Sequence, residues 1–215
     1  MTYTSCTSQP DLIAADRPLA RIVRLADGRR VVVRVARSED VSAAQRFVRG
    51  LSERSRRNRF FAPVRELLPD QLDRLTRWRP PGELVLVGET AEGAGSRIVA
   101  MAQYAVCEGC DAEFAVVVDD AWQRQGLGIT LLGELAEQAG RAGLAALVGF
   151  VLADNWPMLE LLARLDCELV ADRDPYLIRA VKRLDGHEVA VAASLRSRST
   201  NGRRSEAAPD YDAMV

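Results

Sequence analysis

Residues 111–130 read DAEFAVVVDDAWQRQGLGIT, and they hold the residue types from which chemistry could be built. Glu113 is a carboxylate three residues ahead of a β-branched run, Val116-Val117-Val118. Gln123-Arg124-Gln125-Gly126-Leu127-Gly128-Ile129 then opens an apolar-periodic stretch. A strand that feeds a glycine-containing loop at a helix start is suited to bind phosphate. The first helical amides have no intrahelical acceptor, and the helix dipole favours an anion there. Glycines allow close backbone approach, so several amides can converge on one pyrophosphate. The spacing Gln-x-x-Gly-x-Gly is neither the dinucleotide fingerprint nor the P-loop, since no Gly-Lys-Ser/Thr follows. On spacing alone a plainer reading stays open, in which Gly126 and Gly128 only tighten a strand-to-helix turn. Glu113 likewise reads either as a general base or as a solvent-facing charge at a strand start.

The elements that must position these residues follow from periodicity. Residues 1–28 carry scattered Pro, Ser and Asp and read as a partly disordered leader, with Asp27-Gly28 turning into a first strand at 30–36. Ser38 is the expected N-cap of a helix over 39–50, with Glu39 and Asp40 in its first turn. Arg54, Arg56, Arg57 and Arg59 crowd residues 52–60. They read as a solvated face with long stems over apolar surface, the alternative being a patch that steers an acidic partner or phosphates. Phe60 and Phe61 read as core anchors. A helix follows over 69–77, with proline preset at its start.

Two strands, 83–89 and 97–107, flank a glycine-rich turn, and a further strand spans about 112–118. Leu127, Leu131, Leu135 and Ala139 recur every four residues and give the next helix one apolar stripe. Gly133 within it suggests close packing, and Gly140 and Gly143 end it. The run 145–152 is almost wholly apolar, as for a strand buried on both faces. A helix at 156–165 and strands near 167–171 and 176–182 close the domain. The whole pattern predicts an α/β (α+β) mixed sheet with one parallel crossover. A domain over 29–184 would then be followed by a disordered tail, 185–215.

Of the 215 residues, 48% are hydrophobic and 27% charged, with a net charge of −1. This gives no electrostatic case for nucleic-acid or membrane partners. No apolar run reaches the roughly 18 residues of a membrane span, and the N-terminus lacks a signal-peptide pattern, so the cytoplasm is expected. Cys107-Glu108-Gly109-Cys110 raises zinc or redox chemistry. A structural zinc site needs four ligands, and only Cys6, Cys167 and His187 remain, none in a second pair. Reduced thiols at a hairpin, and no metal, are expected.

Gln123, Gly126 and Gly128, following a strand, resemble the Arg/Gln-x-x-Gly-x-Gly/Ala signature of the GNAT family of acetyl-CoA-dependent N-acetyltransferases. Asn155, in LADNWPML, stands where that family has an asparagine after its fifth strand. Residues 51–76 resemble the opening segment of the acetyltransferase domain of bacterial protein-lysine acetyltransferases, the class that acts on acetyl-CoA synthetase. The resemblance runs over roughly residues 30–183.

It implies the acyl-CoA N-acyltransferase fold, with strands four and five splayed to admit acetyl-CoA. Val116, Val117 and Val118 would offer backbone groups to pantetheine. Gln123, Arg124, Gln125, Gly126, Leu127, Gly128 and Ile129 would wrap the pyrophosphate, and Asn155 would lie near the pantetheine. Glu113 matches the general base of the protein-lysine branch. A lysine amine has a reference pKa near 10.4, so a positioned carboxylate is needed to take its proton. A backbone amide near Val117 or Val118 would polarise the carbonyl. Attack would be direct, in a ternary complex. One departure stands out: the tyrosine that often protonates the thiolate is Leu162 here, and the Gly-Phe that often ends its helix is Asp166-Cys167. The expected partner is an amine, including a protein such as acetyl-CoA synthetase, bound by a monomer or homodimer. A small-molecule amine acceptor and a non-catalytic acetyl-CoA sensor remain the alternatives.

Overall fold

The computed structural model describes residues 20–76, 82–93, 95–107 and 109–184. The expected tail, 185–215, lies outside them. In chain order the elements are β1 (Ala20–Arg24), β2 (Arg30–Val35), α1 (Val41–Gly50), α2 (Glu53–Phe60), α3 (Pro69–Thr76), β3 (Glu83–Glu92), β4 (Gly95–Val106), β5 (Asp111–Val118), α4 (Leu127–Arg141), β6 (Ala146–Leu152), α5 (Trp156–Arg164), β7 (Glu168–Ala171) and β8 (Leu177–Arg183). The strands form one mixed sheet in the order β1-β2-β3-β4-β5-β6-β8-β7.

Strand alternation divides the core between two faces. Leu84 and Leu86 of β3 bury with Leu127, Leu131 and Leu135 of α4. Their neighbours Val85 and Val87 bury with Phe47 and Val48 of α1, Phe60 of α2 and Leu75 of α3. Helices therefore cover both faces. Leu127, Leu131 and Leu135 are almost completely buried, each worth about 1.5–3 kcal/mol of apolar burial. This is the stripe that the four-residue spacing predicts. α4 ends as its glycines suggest: Gly143 has φ +78, its amide donates to Gly140 O (3.0 Å), and the Leu144 amide donates to Ala139 O (3.0 Å).

Three expectations are corrected. The leader was expected to run to residue 28, but Ala20–Arg24 pairs antiparallel with β2. Its two central apolar residues, Ile22 and Val23, are too few to show against the flanking arginines, and as an edge strand it takes its register from β2. Ser38 is not the cap of α1. Residues 38–40 form a 3-10 turn and Asp40 is the N-cap, its carboxylate gripped by Arg34 (2.7 and 2.8 Å) and by the Arg37 amide (2.7 Å). Arg34 also donates to Glu89 (2.7 Å), tying β2 and β3 to the start of α1. Gly133 has no close neighbour on the side where a Cβ would point, so tight packing does not explain it.

The parallel pair β5–β6 is the feature that shapes the site. It is hydrogen-bonded only through Asp111↔Ala146, Ala112↔Leu147 and Glu113↔Val148, after which the strands part. The next residues are Phe114 and Gly149. A Cβ on Gly149 would lie 2.6 Å from two carbons of the Phe114 ring. That ring is buried in the core. We expect Gly149→Ala to destabilise the protein by about 1–3 kcal/mol, as overpacking does. Urea unfolding should show a lower midpoint at unchanged slope, with Phe114→Leu in the same background restoring part of it. An unchanged midpoint would contradict this packing.

Candidate active site

Where β5 and β6 separate, a cleft of about 780 Å³ opens between them, flanked by α2 and α5. The register of β5 on β4 decides which backbone groups face it. Asp119 N donates to Val99 O (2.8 Å), and Cys107 N donates to Asp111 O (3.2 Å). In an antiparallel ladder this commits the odd-numbered residues of β5 to β4. Val116 therefore aims its N–H and C=O groups toward the cleft, as do the Phe114 C=O and the Val118 N–H, while the Phe114 N–H still faces Val148 of β6 and the Val118 carbonyl accepts from Gln123. Val117, expected among the backbone donors, has its groups turned to Met101, its partner on β4. Side chains alternate too. Val116 and Val118 pack on the α4 side, whereas Val117 packs on the α1 side, the face it shares with Glu113.

At the open end, the loop after β5 curls tightly. Arg124 (φ +60) and Gly126 (φ +89) are both left-handed, and Gly126 is the N-cap of α4. Thr130 N is the first amide bonded within the helix, to Gly126 O at 3.1 Å. The amides of Leu127, Gly128 and Ile129 thus have no helical acceptor. Arg124, Gly126, Gly128 and Ile129 line the cleft. A Cβ on Gly128 would come to 3.0 Å from Leu161, so glycine keeps α4 and α5 close at this point.

Other loop residues work differently from the expectation. Gln123 lines the cleft but holds the loop: its side-chain amide donates to Val118 O (3.0 Å) and Ser55 Oγ (3.1 Å). Gln125 is outside the cleft lining, and its carbonyl accepts from Ala26 N (3.2 Å). The Leu127 side chain is core, 1% exposed, leaving only its amide for a ligand.

On the opposite wall Asn155 caps α5. Its carbonyl accepts from Met158 N and Leu159 N, and its side chain makes no capping bond, so the amide stands at the cleft. Leu162 is fully buried and brings no proton donor. Asp166 takes φ +54 at the helix end, where glycine would be the easier residue.

Glu113 sits at the closed end, the last paired residue before the strands part. It is half-buried. Burial pushes its carboxyl above the usual range, opposed by the charge of Arg59. Arg59 was expected on a solvated face. It is 8% exposed, lines the same cleft, and its guanidinium lies 4.8 Å from the Phe60 ring. Phe61, expected in the core, is half-buried at the C-cap of α2 and lines the cleft.

Asp120 was absent from the expected site residues, yet it anchors α2 beside β5. Its carboxylate accepts from Ser52 N (2.9 Å), Ser52 Oγ (2.7 Å) and Ser55 Oγ (2.8 Å). Burial pushes the Asp120 carboxyl up, but these bonds outweigh it and leave the pKa lowered. The spacing of Ser52 and Ser55 at the start of an arginine-rich segment signals only a local N-cap, so the long-range contact was invisible.

Cys107 and Cys110 lie at the β4–β5 hairpin, where Gly109 (φ +62) makes the turn. Neither forms a disulfide. Among the described residues no three of His, Cys, Asp or Glu come together as metal ligands. Cys6 and His187 lie outside those residues. Replacing Cys107 and Cys110 together by Ser is expected to leave turnover of acetyl-CoA near wild type. Stoichiometric zinc in the purified protein, lost in that variant, would reverse this expectation. No helix among the described residues is long and apolar enough to cross a membrane.

Residues 52–166 match the model of the acetyltransferase (GNAT) family. The chain is 32% identical over 152 residues to acetyltransferase PA5475 of Pseudomonas aeruginosa, covering 70% of this chain and 81% of that one. Among solved structures it is similar to the GNAT domain of S. lividans PAT, with a TM-score of 0.71, 23% identity, and 77% and 97% of the two chains covered. It is also similar to yncA of Salmonella typhimurium, solved with its cofactor acetyl-CoA. There the TM-score is 0.58 at 20% identity, over 75% and 98% of the chains. These structural likenesses show the fold.

Proposed function

Since the chain belongs to the GNAT acetyltransferase family, we propose that it is an N-acetyltransferase that moves acetyl from acetyl-CoA to a primary amine, a protein lysine in particular. The observation that carries this reading is the parting of β5 from β6. It leaves unpaired backbone groups along one wall of a cleft, free helix amides at its open end and a half-buried carboxylate at its closed end. Pyrophosphate would lie on the amides of Leu127, Gly128 and Ile129. Pantetheine would run along the exposed edge of β5 and meet the Val116 backbone, with the Asn155 amide on the far wall. The thioester would then lie between Val116 and Phe114, close to Glu113.

The acceptor approaches from the α2 face, where the Glu113 side chain points. Its nitrogen attacks the thioester carbonyl while the Glu113 carboxylate takes a proton, directly or through one water. The Val116 amide faces the cleft and can donate to the oxyanion, a role that Val117 cannot fill from its register. The C–S bond then breaks. Leu162 offers no proton, so coenzyme A leaves as thiolate and is protonated by solvent.

A protein acceptor is supported by the rim. Trp156 is 73% exposed and lines the cleft, and Tyr176, also exposed, is tied near the start of α5 through its carbonyl, which accepts from Ala153 N (2.8 Å). Large exposed aromatics are characteristic anchors of protein contacts. Comparing kcat/KM for folded lysine-containing proteins with that for free lysine and short alkyl amines tests the acceptor class. A protein preference is expected; a small amine preferred over every protein would overturn it.

A further inference from the structure

We propose that Arg59 is the positioning residue of Glu113, its buried guanidinium holding the carboxylate charged and aimed at the incoming amine. This rests on the reading of Glu113 as the base. The four arginines of α2 differ in what they do. Arg57 reaches Asp154 at the surface (3.1 Å), Arg56 bonds the Leu51 carbonyl, and Arg54 is exposed at the cleft. Arg59 alone of the four is buried. With Met101, Ala115 and Val117 it encloses a void of only about 10 Å³, barely room for one water. Ala115 and Val117 share the face of β5 that carries Glu113, so Arg59 packs against that face, and Arg59 and Glu113 both line the cleft.

A carboxylate half out of water is driven toward its neutral form, which cannot accept a proton. Burial lowers the Arg59 pKa to about 10, opposed by the charge of Glu113, so the guanidinium stays charged at neutral pH, and here its field is weakly screened. Among the described residues, the remaining neighbours on that face offer no substitute. The cross-strand row reads Glu83, Ala105, Glu113, Val148, Val181 from β3 to β8. Glu83 is a like charge two strands away, and Arg179 on β8 is exposed. On the helix side Arg54 is solvated. α2 is itself fastened to the β5 loop by the Asp120 bonds to Ser52 and Ser55, which holds Arg59 where it is.

The test is the pH dependence of kcat/KM for Arg59→Gln relative to wild type. Titration of the amine is common to both enzymes and cancels in the ratio. Loss of the cation should make Glu113 protonate at higher pH, so the ratio should be lower by about tenfold at pH 6 than at pH 9. Arg59→Lys should keep a nearly level ratio, and acetyl-CoA affinity should be unchanged in both variants. Arg59→Met retains the stem volume and carries the same prediction if Arg59→Gln does not fold. A level ratio in the uncharged variants would overturn the proposal. Glu113→Gln run beside them separates the two ideas: full turnover in that variant removes Glu113 as base, whereas a defect there with a level Arg59 ratio removes only the role of Arg59.

Discussion

Glu113→Gln is expected to lower kcat by about 10²–10⁴-fold while acetyl-CoA affinity stays unchanged. The replacement keeps shape and removes only the ability to accept a proton. Glu113 lies on the α2 face of β5, whereas the cofactor edge is formed by the backbone of the alternate residues, so binding and proton transfer are separable. Raising the pH should recover part of the loss, because more of the acceptor amine is then already neutral. Wild-type kcat should fall in the other direction, as pH drops through the raised pKa of Glu113 and the base is protonated. Steady-state kinetics with calorimetry checks both. Full kcat in the variant at neutral pH would leave Glu113 a half-buried structural charge.

Gly126→Val should weaken acetyl-CoA binding by about 10–100-fold while the sheet and α4 stay folded. A Cβ at this position meets nothing within 4 Å, so no clash is involved. The penalty is in the backbone: φ is +89, a conformation that β-branched residues avoid at about 1–3 kcal/mol. In the free protein the loop can relax away from it. Binding would have to restore the curl that presents the α4 amides, and each 1.4 kcal/mol is a factor of ten. Unchanged affinity by calorimetry would remove the loop from the phosphate site.

Much of this arrangement was legible locally. The leucines at four-residue intervals, the apolar run of β6 and the glycines after β5 are signals carried by adjacent residues, and each appears where its spacing predicts. What escaped depended on partners distant in sequence. Arg59 sits in ERSRRNRF, which looks like a solvated helix, yet it is buried among residues of α1, α3, β4 and β5 that are distant in sequence. Which valine backbone faces the cleft is a question of parity. It is set by the β4 register, and a slip of one residue would exchange Val116 for Val117. Gln123 belongs to the loop motif, yet its amide is turned to Ser55 and Val118, and the motif spacing cannot tell a ligand from a brace. The separation of β5 from β6 was expected from the family resemblance alone. The Phe114 ring over Gly149, at the point where the strands part, joins residues on two strands and has no signature in either.

The most direct test is thiol release from acetyl-CoA by the wild-type chain over a panel of amines and lysine-bearing proteins, with the masses of acceptor and enzyme followed together. Coenzyme A and N-acetylated acceptor are expected in equal amounts, with no acetyl group on the enzyme and strongly reduced turnover in Glu113→Gln. Acetyl-CoA that binds but gives no thiol above the Glu113→Gln background with any acceptor, or acetyl that accumulates on the enzyme itself, would contradict it.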